Sequence, residues 1–190
     1  MGAVHLWQVR SLLELVDGAL PGGVPAGRLK LLQQAGLLEQ CRSGVATPGG
    51  FVDACGLAVR ALVATEAELQ AAGGGVPGCL ALANGAGVRA GVGSGGAAVT
   101  ARAQAALGAA CRARLAQNPT TAAQDAAALK ALGGGGKAGF GAAGAALAAA
   151  GLPADMPLSR QRLALEYRVV KKQVLQRCAS ACDANAAMAL

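Results

Sequence analysis

Ser159-Arg-Gln-Arg-Leu-Ala-Leu-Glu-Tyr-Arg-Val-Val-Lys-Lys-Gln-Val-Leu-Gln-Arg-Cys178 decides the fold class, because this stretch, which runs on to about Cys182, is the one long segment free of glycine and proline. Leu163, Tyr167, Val170, Val174, Cys178 and Ala181 recur at steps of four, three, four, four and three, which places them on one face of an amphipathic α-helix. Arg160, Arg162, Arg168, Lys171, Lys172 and Arg177 stand against the single acid Glu166, so the segment carries +5 of the chain's formal +7. An electrostatic partner is therefore expected here first, with these six cations as its candidate contacts. The plainer reading of the same pattern is a helix with one core face and one solvated face.

Composition narrows what surrounds this helix. A chain of 190 residues fits one domain and can bury about two-thirds of its unfolded surface. Aromatics are only 2% and glycines number 29, so the 54% apolar content consists largely of alanine, which favours helix but buries little area. Mean hydropathy is +0.43, and residues 138–154 are uncharged, but their side chains are small and the run ends at Pro153, so no membrane span is expected. The opening residues lack a basic region followed by an apolar run, and Leu6 stands where a myristoylation motif needs Ser or Thr. An intracellular location is the default, with chloroplast, cytosol and nucleus all open.

Cys41, Cys55, Cys79, Cys111, Cys178 and Cys182 form no CxxC pair, and His5 is the sole histidine, which argues against a zinc site. Cys178 and Cys182, one helical turn apart, could share a metal or a bond, but buried free thiols in a reducing compartment are the expectation.

Outward from the decisive helix, the chain breaks into short helical patterns. Val4 to Val16 offers a broad apolar helical face, ended by Asp17-Gly18. A short helix fits Gly27 to Ala35, with Leu29 and Leu32 inward and Gly36 just past its end. Thr47-Pro48 is a helix start ahead of Phe51, Cys55, Val59 and Leu62. Thr65-Glu66-Ala67-Glu68 and Thr121-Ala-Ala-Gln124 are capping boxes. Ala103, Leu107, Cys111 and Leu115 mark a helix stopped by Asn118-Pro119. Ser159 is placed to cap the last helix. Residues 73–98 and 133–157 read as flexible Gly-rich insertions, and Gly91 to Gly96 lacks the lysine and the preceding strand of a phosphate loop. No segment alternates as a strand does, so the class is all-α, an irregular multihelical bundle with Gly/Ala-rich loops.

Three blocks, in order, resemble the C-terminal substrate-binding domain of Rubisco lysine methyltransferase-type SET proteins. Arg28-Leu-Lys-Leu-Leu-Gln-Gln-Ala-Gly-Leu-Leu38 is similar to that domain's early helix, and Phe51 to Leu69 to its middle helix pair. Cys111-Arg-Ala-Arg-Leu-Ala-Gln-Asn-Pro-Thr-Thr-Ala-Ala-Gln-Asp125, followed by Arg162 to Gln176, is similar to its Thr-Thr turn and last helix. The chain departs from the pattern at Ala122-Ala123-Gln124, where the family is often acidic, and in its longer insertions.

The resemblance implies a helical domain over 12–185 that holds a protein substrate, such as the Rubisco large subunit or another lysine-methylated protein, beside a SET domain. It implies a lysine N-methyltransferase only where that SET domain is present, and S-adenosylmethionine only as the SET domain's cofactor. No catalytic, cofactor-binding or metal residues are assigned within these residues: His5 does not follow an Asn, and Tyr167 belongs to the apolar face. The alternatives are a basic helical module binding nucleic acid without sequence preference, disfavoured by the scarcity of aromatics for base stacking, and a structural scaffold.

Overall fold

The computed structural model describes residues 4–7, 16–18, 20, 22–40, 44–47, 50–51, 53–85, 95–133, 140–153 and 155–189. In chain order it contains strand β1 (Val4–Trp7), helices α1 (Arg28–Gln34) and α2 (Leu37–Gln40), strands β2 (Gly44–Thr47) and β3 (Gly50–Phe51), then helices α3 (Asp53–Val63), α4 (Glu66–Ala71), α5 (Gly75–Ala83), α6 (Gly95–Ala116), α7 (Ala122–Gly133), α8 (Phe140–Ala149) and α9 (Leu158–Met188). The all-α reading holds for the bulk of the chain.

The capping boxes mark helix starts because each satisfies orphan amides locally. Thr65 Oγ1 accepts from the Glu68 amide at 3.2 Å, and Glu68 Oε2 accepts from the Thr65 amide at 2.7 Å. Gln124 Oε1 and Thr121 Oγ1 repeat the exchange at the start of α7, at 2.7 and 3.2 Å. Burial alone would raise the Glu68 carboxyl, but hydrogen bonds from Arg102 of α6 and from Thr65 outweigh it and hold the group below its ordinary value. A depressed carboxyl stabilises the fold at pH values above its unfolded pKa, and that contribution is lost as pH falls through the folded value. Thr65→Ala should cost about 1 kcal/mol at neutral pH. The deficit should shrink as pH falls and Glu68 takes up its proton; urea titrations at pH 7 and at acid pH would show it, and equal deficits at both would remove Glu68 from the cap.

Three expectations are corrected. A small antiparallel sheet in the order β1-β2-β3 pairs Val4 with Ala46 and Ala46 with Phe51. Residues 4–7 are therefore strand and not helix, residues 8–15 lie outside the described set, and the helix expected from Thr47 starts at Asp53. Strands of two to four residues are too short to show alternation in sequence.

The insertions also contain helices. α5 falls within 73–98 and α8 within 133–157, while 86–94 and 134–139 lie outside the described residues. Glycine in a helix costs roughly 1 kcal/mol, but burial of Cys79, Leu82 and Ala83 against α3 and α1 offsets it, as burial of Leu147 does in α8. Third, Ser159 lies inside α9, whose N-cap is Pro157 with no side-chain cap.

One core cluster joins Leu32, Val59, Leu62, Leu69, Leu107 and Leu175, among others. A second, smaller one gathers Ala128, Leu147, Ala150, Leu152 and Leu165. The most extensive helix pair is α6 with α9. Gly108 permits it: a Cβ there would lie 3.4 Å from Cys182 Cβ and 2.8 Å from Asp183 Oδ1.

Candidate functional site

The N-terminal half of α9 does not face a continuous apolar surface. It faces the turn before α7 and the segment just after α8, whose backbone carbonyls accept from its side chains. Gln161 Nε2 donates to the Pro153 carbonyl at 3.0 Å, Arg168 Nη1 to the Ala150 carbonyl at 2.7 Å, and Lys172 Nζ to the Thr120 carbonyl at 2.7 Å. Gln161, Leu165, Arg168, Lys172, Leu175, Ala179 and Cys182 follow at steps of four, three, four, three, four and three and form the inward stripe, with Arg168 half-buried.

The face assigned from sequence is therefore inward only in part. Val174 and Cys178 are buried, Ala181 is half-buried, and Leu163, Tyr167 and Val170 are 66%, 54% and 50% exposed. The same device appears in α1: Leu29 is exposed, while Arg28 is buried and donates to the Ala61 carbonyl at 2.7 Å near the end of α3.

Of the six candidate cations, Lys172 is corrected outright. It is 3% exposed, and its Nζ lies 2.6 Å from Asp125 Oδ2 and 2.8 Å from Thr120 Oγ1. Asp125 is fully buried and also accepts from Thr120 Oγ1 at 2.7 Å. All three ammonium protons are used, so the group ties α7 to α9 and offers nothing outward. Arg168 is half-buried and engaged with Ala150. Arg162 pairs with Glu166 at 2.9 Å on the surface, and Arg160 and Arg177 are exposed. Lys171 is half-buried, with Nζ 6.0 Å from the Tyr167 ring centroid. Burial, and secondarily the nearby Arg114, pull the Lys171 pKa below the ordinary lysine value.

Two other features have less chemistry to offer. A cleft of about 200 Å³ is lined by Thr120, Gln124, Ala127, Ala128, Ala149 and Ala150. The Thr120 hydroxyl and the Gln124 amide already serve Lys172, Asp125 and the α7 cap, which leaves alanine walls. Cys111, Cys178 and Cys182 are buried and reduced at the crossing of α6 and α9. Cys178 is hydrogen-bonded to both others, and its bond to Cys111, together with burial, raises its pKa; the bond to Cys178, then burial, raises that of Cys182. Thiols held protonated in this way are poor nucleophiles. Among the described residues no group of three or more His, Cys, Asp or Glu side chains is arranged to hold a metal ion, and no helix is long and apolar enough to cross a membrane. Cys41 lies outside the described residues.

The outward feature is thus a ridge of Leu163, Tyr167 and Val170, with Lys171 beside it. Sequence periodicity placed these three residues in the core, because it reports that they share a face but not which way the face turns. No family model, curated protein or solved structure matches the chain.

Proposed function

We propose that the chain is a protein-recognition module, similar in role to the substrate-binding domain of Rubisco lysine methyltransferase-type SET proteins. It holds a protein substrate while a separate SET domain transfers a methyl group from S-adenosylmethionine to lysine. The observation that carries the reading is the ridge: three large apolar side chains at i, i+4 and i+7, each half or more exposed, on the longest helix. That is the spacing at which helices present anchors to a protein partner, and an aromatic at the centre of such a patch is the usual energetic focus. The nucleic-acid alternative has lost support with its cations, since Lys172 is buried, Arg168 serves a carbonyl and Arg162 is paired with an acid.

Binding to Rubisco holoenzyme and to a mixed-sequence DNA duplex, measured by biolayer interferometry at 50 and 200 mM salt, tests this. Rubisco binding should weaken by less than about tenfold between the two salts, and Tyr167→Ala should weaken it by about tenfold or more. DNA binding that collapses by about a thousandfold over that range, with no binding to Rubisco, would instead establish phosphate recognition.

A further inference from the structure

Resting on the protein-recognition reading, we infer that the ridge of α9 takes an acidic amphipathic segment of the partner, with apolar side chains against Leu163, Tyr167 and Val170 and a carboxylate between Lys171 and Arg114. The cations elsewhere that enter ion pairs have their acids within the chain: Arg28 with Glu66, Arg102 with Glu68, Arg112 with Asp183, Arg162 with Glu166 and Lys172 with Asp125. Lys171 and Arg114 do not. Arg114 Nη1 donates to the neutral Gln117 Oε1 at 2.7 Å, Lys171 stands over the Tyr167 ring, and among the described residues no carboxylate pairs with either.

The arrangement has a cost in the free chain that a ligand can remove. Burial first, and then the nearby Arg114, disfavour the charged form of Lys171, and an anion placed beside it relieves that cost. The anion must arrive with apolar surface, because the ridge beside Lys171 offers the Tyr167 hydroxyl as its one side-chain donor and otherwise presents large apolar surface to water. A bare phosphate or a nucleic-acid backbone would satisfy the cations and leave the ridge wet. An acidic segment with apolar residues on one helical face meets both demands, and its charge complements the chain's formal +7.

Two fluorescein-labelled helical peptides of about 16 residues, each with leucine at i, i+4 and i+7, one flanked by glutamate and one by lysine, provide the test by anisotropy. The glutamate peptide should bind about tenfold or more tightly than the lysine peptide. The double variant Lys171→Glu with Arg114→Glu should reverse that order, and Tyr167→Ala should weaken the glutamate peptide without reversing it. Equal affinity for the two peptides, binding to neither, or a preference untouched by the double variant would each overturn the inference. The order of the two peptides on the unmodified chain decides the matter even if the double variant folds poorly. Rubisco binding that survives the charge reversal and still falls with Tyr167→Ala would leave the protein-recognition reading standing without its acidic partner.

Discussion

Lys172→Met is expected to destabilise the chain by about 3–5 kcal/mol, because it removes the cation from a fully buried Asp125 and leaves that carboxylate uncompensated. Against a total stability of roughly 5–15 kcal/mol for a native domain, such a loss approaches unfolding. The free energy belongs to the exposed defect and not to the pair as such, since a buried ion pair replaced whole by well-packed neutral groups often costs little. Combining Lys172→Met with Asp125→Leu should therefore recover much of the loss. Recovery will be incomplete, because Lys172 also donates to the Thr120 carbonyl and hydroxyl, at 2.7 and 2.8 Å, and methionine cannot. Urea unfolding followed by circular dichroism measures both variants. A single-variant deficit below about 1 kcal/mol would mean that water reaches Asp125 and that the group is not the pin between α7 and α9. Lys172 would then again be a candidate for a partner contact.

Gly78→Ala should destabilise by about 1–3 kcal/mol, although alanine is the better helix former. A Cβ at position 78 would lie 2.7 Å from the Leu69 carbonyl oxygen and 2.9 Å from Leu69 Cδ1. That oxygen already accepts from the Gly74 amide at 2.8 Å, which fixes the turn between α4 and α5, so the backbone cannot withdraw without losing the bond. Gly144 in α8 is the matched control: a Cβ there meets nothing within 4 Å, and Gly144→Ala should stabilise by about 0.5–1 kcal/mol. Thermal melts of the two variants should move in opposite directions. A Gly78→Ala protein as stable as the parent would show that α5 does not pack on α4 as closely as the structure has it.

The Lys172 contact bears on function through α9. The ridge is presented outward because the inward positions of this half of the helix are taken by Gln161, Leu165, Arg168 and Lys172. If the Lys172 contact is lost, the helix has less to hold its rotation, and the ridge loses its fixed orientation along with the second core cluster.

The residues alone determined the helical class, both capping boxes and the glycine that ends α1, whose φ of +70° suits the position just beyond the helix. These signals act within one turn of backbone, where a hydroxyl meets an amide three residues on or a missing Cβ permits a left-handed step, and such chemistry depends on nothing distant. Tertiary structure decided the rest. It made a helix of glycine-rich 75–83 by giving Cys79, Leu82 and Ala83 a surface to bury against, and it paired strands too short to alternate. It also turned Leu163, Tyr167 and Val170 to solvent. An apolar periodicity gives a helix its stripe, but the direction of the stripe is set by what the neighbouring surface supplies. Here that surface supplied the carbonyls of Thr120, before α7, and of Ala150 and Pro153, after α8, so donors from Gln161, Arg168 and Lys172 went inward beside Leu165, and Leu163, Tyr167 and Val170 were left on the outside.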